Sequence, residues 1–126
     1  MASARILVVE DNEKNMKLFR DVLQAAGYRT LEATTGGEAV ALAADHSPDL
    51  VLMDIQLPDI DGVEALGQLR ADARTAALPV LALTAQAMEG DRERFLAAGF
   101  DGYLSKPVNV SDFVAVVTRY FEDGDR

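Results

Sequence analysis

The chain has 126 residues, of which 49% are hydrophobic and 26% are charged, and it contains no cysteine. This composition is that of an ordinary globular domain with a sizeable core, and it excludes disulfides and cysteine-based zinc sites. The formal net charge of −9 disfavours a nucleic-acid-binding surface and suits contact with basic patches on other proteins. No apolar run reaches the roughly 20 residues that span a bilayer, and the first residues lack a signal peptide's apolar core. We therefore expect a cytoplasmic protein without membrane insertion.

Strand and helix patterns alternate five times along the chain. Short apolar runs bounded by turn residues predict strands, and apolar residues spaced three and four apart predict one face of a helix. The predicted strands are 6–9, 29–33, 50–53, a run of 80–83 after Pro79, and a short strand at 103–104. The predicted helices are 12–26, one opened by Thr35 and ending near His46, one capped by Asp61, 87–98, and one capped by Asn109 or Ser111.

This alternation predicts an α/β fold with a parallel sheet, right-handed crossovers and helices on both faces. The chain is too short for the six-stranded dinucleotide-binding sheet, and no G-x-G-x-x-G follows the first strand. The expected architecture is therefore the flavodoxin-like (βα)5 doubly wound sheet with strand order 2-1-3-4-5. We expect residues 1–126 to form a single domain with a core from about 5 to 121 and no effector domain.

Polar residues follow the apolar strands at the points where those strands end. Glu10 and Asp11 follow the first strand, Asp54 ends the third, Thr84 ends the fourth, and Lys106 follows the fifth. Open α/β sheets bind their ligands beyond the carboxyl ends of the strands, so these side chains are expected at one edge. Three crowded carboxylates favour Mg²⁺, and a carboxylate, a hydroxyl and an ammonium suit phosphoryl transfer to a nucleophilic Asp54.

Each of these residues also has an ordinary structural interpretation. Asp11 or Asn12 could be a helix cap, Asp54 a turn residue, Thr84 a loop hydroxyl and Lys106 a solvated side chain. Their joint arrival at successive strand ends is what favours a site.

Five short motifs of the chain belong together: Val9-Glu10-Asp11-Asn12, Met53-Asp54-Ile55-Gln56-Leu57-Pro58, Asp61-Gly62, Leu83-Thr84-Ala85 and Ser105-Lys106-Pro107. With these motifs the sequence resembles a CheY-like receiver domain of bacterial two-component response regulators, and the likeness covers nearly the whole chain. Segments 10–19, 53–58 and 84–91 are most similar to single-domain cell-division regulators of alphaproteobacteria.

The resemblance implies a phosphoacceptor protein rather than an enzyme. In the family pattern, Asp54 accepts a phosphoryl group from a kinase phosphohistidine, and Lys106 pairs with that group. Glu10 and Asp11 form the acidic pocket, while Asp11, Asp54 and the backbone carbonyl of Gln56 hold Mg²⁺. The implied activities are self-phosphorylation and slow autodephosphorylation only.

The resemblance also implies a switch. Thr84 moves to bond the phosphoryl group, Tyr103 swings inward, and the face made by the fourth helix, fifth strand and fifth helix changes its protein partners. Gln56 and Gln86 occupy positions that tune the phosphoryl lifetime. The implied partners are a sensor histidine kinase, which is phosphodonor and possible phosphatase, and a downstream protein in cell-cycle or polarity control. A monomer or weak dimer is expected, with polar localisation through kinase binding.

Three alternatives stay open at this point. The chain could be a receiver cut from a hybrid histidine kinase, which would use the same chemistry. A magnesium-dependent aspartyl-phosphate phosphatase needs a second acid near the nucleophile, but two residues after Asp54 stands Gln56. A purely structural module would not require Asp54, Thr84 and Lys106 together.

Overall fold

The computed structural model describes residues 4–85, 90–106 and 109–124. Within them, parallel strands form one sheet in the order β2-β1-β3-β4-β5, which confirms the predicted flavodoxin-like fold. The strands are β1 (Arg5–Val9), β2 (Arg29–Ala33), β3 (Leu50–Asp54), β4 (Val80–Thr84) and β5 (Gly102–Ser105). The helices are α1 (Glu13–Ala25), α2 (Gly36–His46), α3 (Gly62–Ala71), α4 (Asp91–Ala98) and α5 (Val110–Gly124).

The sheet separates two hydrophobic cores because successive side chains of each strand point to opposite faces. One core joins alternate strand residues to α2, α3 and α4, and the other joins the intervening residues to α1 and α5. In the second core, the rings of Phe19 and Phe113 stack with centroids 5.2 Å apart. Strands β3 and β4 are buried along their whole length, as their unbroken apolar sequences predict.

Most helices begin at the predicted caps. Asn12 accepts a hydrogen bond from the Asn15 amide at 3.0 Å. Thr35 and Asp61 accept equivalent bonds at 3.1 and 2.8 Å. Of the two candidates for α5, Asn109 is the cap, since its side chain accepts the Asp112 amide at 3.2 Å. These side chains satisfy amides that the first helical turn leaves unpaired.

Helix α4 begins later than predicted. The predicted helix runs over 87–98, whereas α4 begins at Asp91. Gly90 precedes it with φ of 90°, a left-handed conformation that cannot continue a helix. Residues 87–89 of that prediction lie outside the described residues.

Among the helices that the structure describes, none is both long enough and apolar enough to cross a membrane.

Candidate functional site

The carboxyl ends of four strands meet at one edge of the sheet, as predicted. Backbone hydrogen bonds continue the strand pairing beyond the strand ends and so fix the chain on which the site residues stand. The Glu10 amide donates to the Ala33 carbonyl at 3.0 Å, and the Lys106 amide donates to the Thr84 carbonyl at 2.7 Å. These side chains are therefore presented by sheet backbone rather than by free loops.

Lys106 joins the carboxylates of two different strands. Its ammonium donates to Glu10 Oε1 at 2.5 Å and to Asp54 Oδ2 at 2.9 Å. The Glu10 side chain is 1% exposed, that of Asp54 is 7% exposed and that of Lys106 is 14% exposed. Charge-assisted hydrogen bonds at such distances, shielded from water, are stronger than exposed ion pairs.

The remaining carboxylate oxygens are held by nearby amides. The Asn12 amide donates to Glu10 Oε2 at 3.1 Å, and the Gln56 amide donates to Asp54 Oδ1 at 3.0 Å. Both carboxylates are therefore oriented by backbone as well as by Lys106. Side chains held in this way need little rearrangement before they react.

The pKa values of the site reflect burial and crowding. Burial raises the pKa of the Glu10 carboxyl, and the neighbouring charge of Asp54 adds to this, while the Lys106 and Asn12 hydrogen bonds oppose it. For Lys106, burial disfavours the charged form, but the hydrogen bonds to Glu10 and Asp54 outweigh it and the pKa is raised. Lys106 is thus held as an ammonium, and the pocket has more carboxylate than one ammonium can neutralise.

Asp11 completes an acidic cluster. One carboxylate oxygen from each of Glu10, Asp11 and Asp54 lies within 4.8 Å of the others. By formal charge, the three carboxylates and the Lys106 ammonium sum to −2, which a divalent cation would neutralise. The donors are hard oxygens, the chain has no cysteine, and its one histidine, His46, ends α2. This donor set fits Mg²⁺ and does not fit the softer metals.

Thr84 and Tyr103 lie where the sequence predicts them, on the neighbouring strands. Thr84 ends β4 and is 5% exposed. Tyr103 lies in β5 opposite Ala82 and is half-buried, with its ring 6.1 Å from that of Phe95 on α4. Thr84 and Tyr103 are therefore on adjacent strands, with Thr84 at the edge that bears Asp54 and Tyr103 two residues before that edge.

The predicted lifetime-tuning pair is placed only in part. Gln56 follows β3 and is exposed, and its backbone amide contacts Asp54. Gln86, and Pro107 of the Lys-Pro motif, lie outside the described residues.

One feature of the site was not predicted from the sequence. Asp59, in the loop after Asp54, accepts hydrogen bonds from the Gly36 and Gly37 amides at 2.8 and 2.9 Å. Asp59 belongs to no periodic pattern. The sequence signal for this contact is the Gly36-Gly37 pair at the start of a helix. The amides of the first helical turn have no partner within the helix and need an acceptor from elsewhere in the chain.

The fold and the site together define a receiver domain. The sequence pattern of the response regulator receiver domain matches residues 6–118, and the chain belongs to that family. A receiver domain of two-component signalling is a phosphoacceptor rather than a catalytic enzyme, and its family implies a histidine kinase partner. The acidic cluster of Glu10, Asp11 and Asp54 fits the family's phosphorylation site.

Two named relatives indicate which kind of receiver domain this chain resembles. The chain is 48% identical to the polar-differentiation response regulator DivK of Brucella ovis over 118 residues, covering 94% of this chain and 96% of the relative. DivK of Brucella abortus matches equally well. The predicted resemblance to single-domain cell-division regulators is thereby confirmed at the level of a DivK-like sequence.

Solved receiver structures share this fold, and one of them contains a magnesium ion. The receiver domain of a sensor histidine kinase from Pseudomonas aeruginosa is 38% identical, with a TM-score of 0.86 and coverage of 94% of this chain and 97% of that one. That structure has a magnesium ion coordinated in its active-site cleft. The chemotaxis protein CheY4 of Vibrio cholerae is 29% identical with a TM-score of 0.87, covering 94% and 98% of the two chains.

Proposed function

We propose that this protein is a DivK-like response regulator whose Asp54 accepts a phosphoryl group from the phosphohistidine of a sensor histidine kinase. The observation that carries the proposal is the contact of Lys106 with both Glu10 and Asp54, beside the carboxylate of Asp11. Of the three carboxylates, Asp54 is the one that itself ends a buried strand, and Lys106 and the Gln56 amide orient it. We assign the whole chain to one receiver domain, which the family match to residues 6–118 supports.

The proposed reaction is a direct transfer between two nucleophiles. A carboxylate oxygen of Asp54 attacks phosphorus and forms a P–O bond, while the P–N bond to the kinase imidazole breaks. The bonding electrons return to the imidazole nitrogen, which takes up a proton. Lys106, already within 2.9 Å of Asp54, is placed to pair with the phosphoryl oxygens as charge moves onto them.

Asp11, Asp54 and the backbone carbonyl of Gln56 are the proposed Mg²⁺ ligands, with Glu10 completing the acidic pocket. Bound there, Mg²⁺ would offset the carboxylate charge and neutralise phosphoryl oxygens. Asp11 is exposed, so its carboxylate can contact a cation without rearrangement of the structure around it. Glu10 is buried and held by the Asn12 amide and Lys106, so its role is to orient Lys106 and set the local charge.

Thr84 and Tyr103 are the proposed switch. Thr84 would move toward Asp54 and donate a hydrogen bond from its hydroxyl to a phosphoryl oxygen. Tyr103 would then move inward, into the space that the Thr84 side chain leaves. The half-buried ring of Tyr103 against Phe95 supports this, because it links β5 to α4. The surface that changes would be the face made by α4, β5 and α5, through which a downstream protein is bound.

The DivK relatives support a role in cell-cycle or polarity control, with the cytoplasm as the site of action and polar localisation through the kinase. The same chemistry would serve a receiver of a hybrid histidine kinase, but the identity of 48% to DivK, against 38% to the histidine kinase receiver domain, favours a DivK-like protein. Gln56 and Gln86 would tune the phosphoryl lifetime through their amides. The net charge of −9 favours basic surfaces on partner proteins and disfavours nucleic acid.

Incubation with Mg²⁺ and a small acyl phosphate tests the proposal. The intact mass should rise by one phosphoryl group, and Asp54→Asn should remain unmodified. A matched control is Asp45→Asn, which changes an exposed carboxylate on α2 and should be phosphorylated like the parent protein. Undiminished labelling of Asp54→Asn would falsify the assignment of the phosphoacceptor.

A further inference from the structure

The backbone carbonyl of Gln56 is a proposed Mg²⁺ ligand, and it belongs to the loop of residues 55–61 that joins β3 to α3. A carbonyl can be a ligand only if its loop holds it in one place, since main-chain oxygens have no side-chain torsions with which to adjust. What anchors this loop therefore bears directly on metal binding.

The near end of the loop is fixed by the sheet and by α3. The Ile55 amide donates to the Leu83 carbonyl at 3.0 Å, and the Ile55 carbonyl accepts the Gly62 amide at 2.8 Å. The Gln56 amide donates to Asp54 at 3.0 Å. These bonds hold Ile55, the Gln56 amide and Gly62, but none of them contacts residues 57–60.

The far end of the loop is fixed by α2. The two carboxylate oxygens of Asp59 accept the Gly36 and Gly37 amides at 2.8 and 2.9 Å, one oxygen to each amide. Next to it, Ile60 lies so close to Gly36 that a Cβ there would be 2.5 Å from Ile60 Cγ1. The absence of a side chain at Gly36 is thus what lets the loop approach the start of α2.

This anchor is strong for a group at the surface. Amides of a helix N-terminus lack partners within the helix, and they favour a negative charge. The hydrogen bonds from Gly37 and Gly36 lower the pKa of Asp59 to about 2, so the carboxylate is ionised at all ordinary pH values. Paired hydrogen bonds to a charged acceptor also fix orientation, which a single bond does not.

We propose that Asp59 is a positioning residue for Mg²⁺ binding, because it ties the far end of the 55–61 loop to α2 and so holds the Gln56 carbonyl at the acidic cluster. The proposal rests on the proposed function, since it requires that Mg²⁺ binds there. Between the two anchors lie Gln56, Leu57 and Pro58, and of these Leu57 packs against the hydrophobic core. Release of the far anchor would let the carbonyl turn away from Asp11 and Asp54.

The inference separates Asp59 from an ordinary helix cap. Thr35 also stabilises the start of α2, by accepting the Glu38 amide at 3.1 Å, but it lies outside the 55–61 loop. Thr35→Ala is therefore the matched control: it removes a bond at the same helix terminus and leaves the loop anchored.

The test measures Mg²⁺ affinity by calorimetric titration and amide hydrogen exchange of residues 55–60 without metal. Asp59→Ala should weaken Mg²⁺ binding on the order of ten-fold, the lower range for loss of a residue that holds a metal ligand in place. The same variant should exchange faster in the loop. Thr35→Ala should leave both quantities as in the parent protein.

Asp59→Asn distinguishes the effect of the hydrogen bonds of Asp59 from the effect of its negative charge. The asparagine keeps one acceptor oxygen, so anchoring predicts an affinity between those of the parent protein and Asp59→Ala. Equal losses in the Asn and Ala variants would assign the effect to charge and overturn the inference. So would equal Mg²⁺ affinities in Asp59→Ala and Thr35→Ala. Failure of the parent protein itself to bind Mg²⁺ would instead overturn the proposed function.

Discussion

Replacement of Lys106 by methionine removes the ammonium that lies between Glu10 and Asp54 while keeping a side chain of similar length. Its two hydrogen bonds, at 2.5 and 2.9 Å, disappear together, and two carboxylates that are 1% and 7% exposed are left facing each other. Loss of one partner from a buried ion pair costs about 3–5 kcal/mol. Because Lys106 is 14% exposed, and because Glu10 can take up a proton, we expect the lower end, about 3 kcal/mol.

The assay is urea unfolding at neutral pH, with and without Mg²⁺. Lys106 has a raised pKa in the folded state, so its contribution is complete below the pKa of an unfolded lysine and is lost only as the pH rises through the folded value. At neutral pH the full loss should therefore appear. Mg²⁺ should narrow the difference, because without the ammonium the acidic cluster should bind the cation more tightly than in the parent protein and so gain more stability from it.

Lys17→Met is the matched control. Lys17 also contacts a carboxylate, that of Asp21 at 2.7 Å, but the two side chains are 69% and 50% exposed. Exposed pairs contribute little, so this variant should unfold like the parent protein. Equal stability of Lys106→Met and the parent protein would refute the reasoning, and so would a loss that Mg²⁺ leaves unchanged.

Three further predictions concern packing and pH. In α3, a Cβ at Gly62 would lie 2.7 Å from the Asp54 carbonyl oxygen, so Gly62→Ala should cost about 1–3 kcal/mol in urea unfolding and slow phosphorylation. A Cβ at Gly67 in the same helix would meet nothing within 4 Å, so Gly67→Ala should stabilise the protein by about 1 kcal/mol. A Gly67→Ala variant that is less stable than Gly62→Ala would contradict the packing argument. Hydrogen bonding lowers the pKa of Asp59 from 3.8 to about 2, so its stabilisation is present above pH 3.8 and is lost as the pH falls toward 2. The difference in unfolding free energy between the parent protein and Asp59→Ala should shrink over that range. A constant difference would count against stabilisation by the ionised Asp59. Burial raises the pKa of Tyr120 from 10.0 to about 12, so the free energy of unfolding should fall as the pH rises above 10. This fall should be less steep in Tyr120→Phe, and an equally steep fall in the two proteins would exclude Tyr120 as its cause.

The fold was predictable because its signals are local and repeated. Apolar runs that are buried on both faces gave β3 and β4, and the caps Asn12, Thr35 and Asp61 gave the starts of three helices. The start of α4 was predicted too early because Gly90 was treated as a tolerated helix residue. Its left-handed φ makes it a boundary instead.

The site was predictable as a set of residues but not as a set of contacts. Parallel topology requires that residues ending successive strands share an edge, which placed Asp54, Thr84 and Lys106 together. That Lys106 lies between Glu10 and Asp54 depends on side-chain geometry that no spacing encodes. The Asp59 contact joins a loop residue to the first two residues of α2, which lie 23 and 22 positions earlier, and no motif records it.

The most direct test of the central claim is to locate the phosphoryl group after transfer from a phosphorylated histidine kinase. Borohydride reduces an acyl phosphate to an alcohol, so a phosphorylated aspartate is converted to homoserine, and peptide mass spectrometry then identifies its position. The account predicts homoserine at position 54, formed with Mg²⁺ and strongly reduced when the metal is chelated. Homoserine at position 11, or at position 54 in equal amount without Mg²⁺, would contradict it.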